Sequence, residues 1–216
     1  MLLEFLPTLE VHRELYSMPR GMERFRAYIA RMTGGSGDLA LPIAAMNPMG
    51  KEHMISAVEA WIACGAEEAA VEAVREAAQR FSHRPDRLRV ALVLADDVAG
   101  AWTNRWTTDF AHRFESAALY KRDFAVGLLW ASEPPSAERV RAVVLQSIGR
   151  AVYEREHGRA RTLREKLEQE RFASVPLGPP PPAEHLDATD APTLFACLYG
   201  DEAAKSLGYS PLRLRG

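Results

Sequence analysis

The nine residues RVALVLADD, Arg89 to Asp97, constrain this chain more than any other stretch. Apolar residues follow one another from Val90 to Ala95 and leave no polar side, so the run predicts a short strand covered on both faces. A strand of that kind needs helices above and below it, and the flanking sequence supplies them. AEEAAVEAVREAAQRF (66–81) is acidic at its start and basic near its end, as the helix dipole prefers, and the segment 101–118 returns to a helical pattern.

DFAVGLLWAS (123–132) predicts another strand. A third run, LALPIAAM (39–46), is short, and Pro42 places it at an edge or demotes it. Residues 3–33 read as two helical segments broken at Met18-Pro19, and TGGSGD (33–38) is a loop. Asn47 as N-cap, Pro48 at the first helical position and Gly65 beyond the end predict a helix from Pro48 to about Cys64. Ser136 caps a long helix ending at Gly158, and Thr162 with Glu165 forms a capping box for a helix to about residue 171. This alternation predicts a helix-dominated α/β fold, with a small, mostly parallel sheet of about three strands and helices packed around it. Residues 1–174 make the core domain, including a helical N-terminal segment. The proline-rich VPLGPPPPAEH (175–185) is a stiff connector, and residues 175–216 add short helices that pack on the core.

Composition excludes several classes. A chain of 216 residues, 47% hydrophobic and 26% charged, has the size of one globular domain and needs neither metal nor disulfide for stability. A formal net charge of -2 argues against a dedicated nucleic-acid binder, although Arg13, Arg20, Arg24, Arg26 and Arg31 crowd the first part of the chain. No apolar run approaches the ~18 residues that span a bilayer. The first residues lack the basic region and cleavage site of a signal peptide. Cys64 and Cys197 have no CxxC partner, which disfavours a zinc site and a disulfide framework. Arginine greatly outnumbers lysine and alanine is abundant, as in GC-rich bacterial coding sequence, so arginine content alone does not signal phosphate recognition. A soluble cytoplasmic protein is the expectation.

In open α/β sheets, ligands bind beyond the carboxyl ends of the strands. Asn47, Gly50 and Lys51 follow the run 39–46; Asp96, Asp97, Gly100, Asn104 and Arg105 follow the apolar stretch 90–95; Ser132 and Glu133 follow the strand within 123–132. NPMGKEH combines a helix start, a glycine that admits close approach and a lysine, which suits a phosphate or carboxylate. The same residues also read as a plain capped helix start, and they lack the second glycine and the hydroxyl of a P-loop. Helical phase places Lys51 with Val58 on the inner side and His53 on the solvent side, which removes His53 from the candidates. Asp96 and Asp97 suit Mg²⁺ or a ligand hydroxyl, or simply shape a turn. Trp102, Trp106, Phe110 and Phe114 repeat every fourth residue and read as packing. Asp109 lies four residues from both Arg105 and Arg113, so it is a brace rather than a general base, and His112 beside it is a candidate for proton transfer. GxGxxG, GxSxG and HExxH are all absent, so no metal and no cofactor is assigned.

These residues predict a protein that binds an anionic small molecule, phosphate or carboxylate, at the strand ends. Asn47, Gly50, Lys51, Asp96, Asp97, Asn104, Arg105, Asp109 and His112 form the expected site; whether the ligand is turned over stays open. The alternative is a non-enzymatic interaction or assembly protein whose apolar stripe over 140–152 supports a homo-oligomer. Neither nucleic acid nor membrane is expected as a partner.

Overall fold

Val90 to Ala95 lie fully buried in the middle strand of a parallel sheet, as a run with no polar side requires. The computed structural model describes residues 1–35, 37–98 and 103–210, so Gly100 and Trp102 fall outside the described residues. Its strands are β1 (Leu2–Leu6), β2 (Arg87–Ala95) and β3 (Phe124–Trp130), in the order β1-β2-β3. Both pairings are parallel: Leu2 lies opposite Arg87 and Leu6 opposite Ala91, while Arg89 meets Phe124 and Ala95 meets Trp130. The fold is α/β and helix-dominated.

The first strand differs from the expectation. β1 occupies LLEFL, inside what reads as a helical segment, and residues 39–46 form no strand. In β1, Leu3 and Phe5 turn toward the core while Leu2 and Glu4 are exposed, an alternation too short to separate from helical spacing by sequence. In 39–46 part of the apolar run is buried for another reason. Ile43 N–H bonds Leu41 O and Met46 N–H bonds Ile43 O, so the backbone is satisfied by tight turns and Ile43, Ala45 and Met46 enter the core without a ladder.

Between β1 and β2 run α1 (Thr8–Ser17), α2 (Met22–Thr33), α3 (His53–Ala63) and α4 (Ala66–Arg80). Then α5 (Arg105–Phe114) and α6 (Ala117–Tyr120) lead to β3, followed by α7 (Ala137–His157), α8 (Leu163–Phe172), α9 (Ala191–Tyr199) and α10 (Asp201–Ser206). α4 and α7 pack on one another and on β1 and β3 respectively; α1 packs on β2 and α3. Gly127 lets α7 press on β3, since a Cβ there would stand 3.0 Å from Leu92 Cδ2 and 3.2 Å from Val143 Cγ2. Ser136 and the Thr162–Glu165 capping box start α7 and α8 as expected.

α3 starts later than its sequence suggests. Asn47 caps only a local turn: its Oδ1 accepts from Met49 N–H and its carbonyl from Gly50 N–H, both at 3.0 Å. The helix begins five residues after Pro48, at His53. Lys51 therefore sits on a turn, where helical phase does not apply. Among the described residues no helix is long and apolar enough to cross a membrane.

Candidate functional site

The carboxyl end of β2 delivers Asp96 into the interior, where its side chain is only 2% exposed. Its Oδ2 accepts from Asn47 Nδ2 at 3.0 Å, its Oδ1 lies 2.8 Å from His53 Nε2, and Val98 N–H approaches Oδ1 at 3.3 Å. The Asp96 carbonyl accepts from Thr103 Oγ1 at 2.6 Å. Segment 47–53 is thus pinned to the end of the central strand at both of its ends. His53, which helical phase turns toward solvent, faces this carboxylate instead, because α3 begins with it and its ring folds back from the first turn.

Asp97 enters a separate network. Beyond the paired Ala95 and Trp130, the parallel strands bring Asp97 beside Ser132, whose N–H and Oγ both donate to it, at 3.0 and 2.7 Å. Arg105, the first residue of α5, donates to Asp97 at 2.7 Å, to Ser132 Oγ at 3.0 Å and to Glu133 at 2.5 Å. Its guanidinium lies 5.0 Å from the Trp130 ring centre, within cation–π range. Arg139 donates to the same Glu133 at 2.9 Å. Two carboxylates match two guanidiniums here, so Arg105 offers no surplus positive charge to a ligand. Asn104 caps α5, accepting from the N–H groups of Trp106 and Thr107.

The other face of segment 47–55 borders a cavity of about 550 Å³, lined by Tyr16, Met18, Arg20, Arg24, Lys51 and Ile55 among others. Arg24 is buried. Its guanidinium donates to the carbonyls of Met18 and Gly50, the latter at 2.9 Å, and to that of Tyr16 at 3.3 Å. Burial draws its pKa down from the ordinary value, with Tyr16 opposing the shift and Arg20 adding to it. Neither Arg20, Arg24 nor Lys51 forms an ion pair with a described carboxylate, and Glu52 is the acidic residue in the lining. Gly50 is closed in by its neighbours: a Cβ would come 2.7 Å from Met54 Cγ, 3.0 Å from Tyr16 Cε1 and 3.2 Å from Asn47 O. Tyr16 donates to that Asn47 carbonyl at 3.0 Å, and burial, together with Asp96, raises its pKa and keeps it a neutral donor.

The nine expected site residues therefore divide. Asn47 and Asp96 share one cluster, Gly50 and Lys51 line the cavity beside it, and Asp97 and Arg105 form the ion network with Asn104 at the adjoining cap. Asp109 and His112 lie elsewhere. Asp109 binds Arg113 at 3.3 Å and accepts from Tyr199 Oη at 2.7 Å, and the expected Arg105–Asp109 pair is absent because Arg105 turns to Asp97 and Glu133. His112 Nδ1 is buried without a partner, and burial pushes its pKa down to about 4, Asp109 raising it and Arg150 lowering it further. His112 is therefore neutral at neutral pH. Tyr16 and Arg24 carry no signal of their own in sequence spacing. The break at Pro19 is the clue to Arg24, since an arginine shortly after a helix end can bond the last carbonyls of that helix.

Among the described residues no group of three or more His, Cys, Asp or Glu side chains is placed to hold a metal ion. Comparison of the chain with protein-family models, with curated proteins and with solved structures finds no match.

Proposed function

We propose that the protein binds a small anionic molecule, a phosphate or carboxylate compound, in the cavity bounded by the α1–α2 junction and segment 50–55. The observation that carries this reading is Arg24, a buried guanidinium satisfied by carbonyls and matched by no described carboxylate, beside a cavity that Arg20 and Lys51 also line. A buried charge without a counter-charge is costly, and an incoming anion relieves that cost while the exposed cations draw it in. The cavity's volume is in the range of small-molecule sites. With Arg105 already matched by two carboxylates, the anion belongs beside Lys51 rather than at the ends of β2 and β3. A cytoplasmic location belongs to the same proposal, and the two free cysteines, Cys64 and Cys197, are compatible with it.

A thermal-shift screen with inorganic phosphate, pyrophosphate and citrate tests the reading. An anion at about 100 times its Kd should stabilise the wild type by about 2.7 kcal/mol. Lys51→Ala combined with Arg20→Ala should abolish the effect. A flat response to all three anions at millimolar concentration would sink it.

The apolar stripe over 140–152 is spent on the core, where Val140, Val143, Val144, Ile148 and Val152 are all buried, so a second reading, self-association, rests instead on Met22 and Ile29, which stand two turns apart on α2 at 58% and 36% exposure. Sedimentation that finds a monomer at high protein concentration would reject it.

A further inference from the structure

Alternate residues of a strand turn their backbone groups to opposite edges, so the register of β2 with β3 fixes which residues of β3 face outward. Arg89 pairs with Phe124 and donates to Asp123 O, while Ala95 pairs with Trp130 and accepts from Ala131 N–H. The odd-numbered residues of β3 therefore serve β2. The N–H and C=O groups of Val126 and Leu128 point to the free edge, where no described group bonds them. That edge is not open surface. Both residues are buried, and both line a cavity of about 280 Å³ bounded by β3, α5 and α7.

Two side chains in the same wall keep a buried polar atom without a partner, His112 Nδ1 and Arg113 Nε. Gln146 of α7 lines the cavity too, and no described group bonds its amide. Unpaired polar groups gathered around one cavity point to an occupant that completes them. The walls also set its charge. Arg113 pairs with Asp109 and Glu170, Arg150 with Glu170 and Arg139 with Glu133, so an anion finds no free cation here. Val143, Val175 and Pro176 add apolar walls that suit a ring.

We propose that this cavity binds a neutral heterocycle the size of a nucleobase against the free edge of β3. A ring N–H donates to an edge carbonyl, and the ring nitrogen or carbonyl beside it accepts from an edge N–H. Gln146 takes a further polar atom of the ligand. A strand edge presents donors and acceptors side by side, as lactam and amidine edges do; a carboxylate offers acceptors alone. The volume lies just below the range of drug-sized sites and leaves room for one ring system. None of these residues lines the cavity beside Lys51, so the inference is independent of the anion reading.

Amide NMR of the full chain, titrated in turn with adenine, hypoxanthine and uracil, tests the proposal. At least one of the three should shift the Val126 and Leu128 amides saturably and slow their hydrogen exchange. Gln146→Leu should weaken that binding roughly tenfold, the worth of one hydrogen bond. Three titrations that leave both amides unmoved mean that the cavity holds water only, and they overturn the proposal. Saturable shifts confined to segment 50–55 overturn it as well, as does undiminished affinity in a folded Gln146→Leu. The wild type decides first, so a variant that fails to fold does not rescue the idea. Inorganic phosphate, run as a separate arm, should leave Val126 and Leu128 unmoved, which keeps failure here distinct from failure of the anion reading.

Discussion

Arg150 grips Glu170 with two parallel bonds, Nε at 2.7 Å and Nη2 at 2.8 Å, and the carboxylate they hold has no exposure to solvent. Arg113 donates to the same carboxylate at 2.7 Å and reaches Asp109 with its other arm. Helices α5, α7 and α8 are joined through this one buried charge. Burial alone would raise the Glu170 pKa, but the Arg150 and Arg113 guanidiniums overcome it and hold the carboxyl below its ordinary value.

Glu170→Ala should therefore destabilise the protein by about 3–5 kcal/mol in urea denaturation, because two guanidiniums are left without their shared partner. The sign with pH follows from the depressed pKa. Glu170 contributes fully above the unfolded carboxylate pKa, and its contribution is lost as pH falls through the folded value. A loss below about 1 kcal/mol would mean that the guanidiniums find water instead.

Acid should weaken the fold well before the carboxylates titrate. His12 is fully buried with neither ring nitrogen bonded, and burial pushes its pKa down to about 3; that of His112 falls to about 4. Both bind a proton in the unfolded chain near pH 6.5 and resist it in the folded one. Stability is therefore complete above pH 6.5 and declines as pH falls below it, toward the folded values. Between pH 7.5 and 5.5 the loss should be about 2–3 kcal/mol, with roughly half removed in His12→Phe. Equal stability at the two pH values would show that both rings are hydrogen-bonded in solution.

The sequence carried burial better than it carried conformation. The apolar runs 89–97 and 123–132 became β2 and β3 because both faces of each are covered, and continuous apolarity reports that directly. The run 39–46 is also apolar and buried over much of its length, but Pro42 and successive turns settle its backbone, and a hydropathy pattern cannot distinguish the two outcomes. β1 was hidden by its length, since its partner strand lies about 85 residues away and only pairing defines it. At the site, Asn47, Gly50, Lys51 and Asp96 could be nominated from turn chemistry and strand ends. His53 could not. Its placement depends on α3 starting five residues late, which follows from Asn47 spending its cap on a local turn and its amide on Asp96. Arg105 was visible as a charge, but its saturation by Asp97 and Glu133 is a long-range fact.

Gly50→Ala should cost about 1–3 kcal/mol, because the new methyl meets the Tyr16 ring and the Asn47 carbonyl, neither of which can swing away. The Met54 side chain can move, which keeps the cost from rising further. Displacing this turn shifts Lys51 and the carbonyl that Arg24 holds, so anion-dependent thermal shifts should shrink by more than stability alone explains. Unchanged shifts in a destabilised variant would separate the turn from the binding site.

The bond from Tyr199 to Asp109, at 2.7 Å, ties α9 to α5 inside an aromatic cluster of Trp106, Phe110, Phe195 and Tyr199. Burial raises the Tyr199 pKa, with Asp109 adding to the shift, so the hydroxyl remains a donor to that carboxylate across the usual pH range. Tyr199→Phe keeps the ring contacts and removes only the bond to a charged group, a loss of about 1.5–3 kcal/mol. Amide exchange should speed up over 191–206 while β2 stays protected, since α9 and α10 pack on side chains of α5 and α8. Equal acceleration in β2 would show instead that the C-terminal helices and the sheet unfold as one unit.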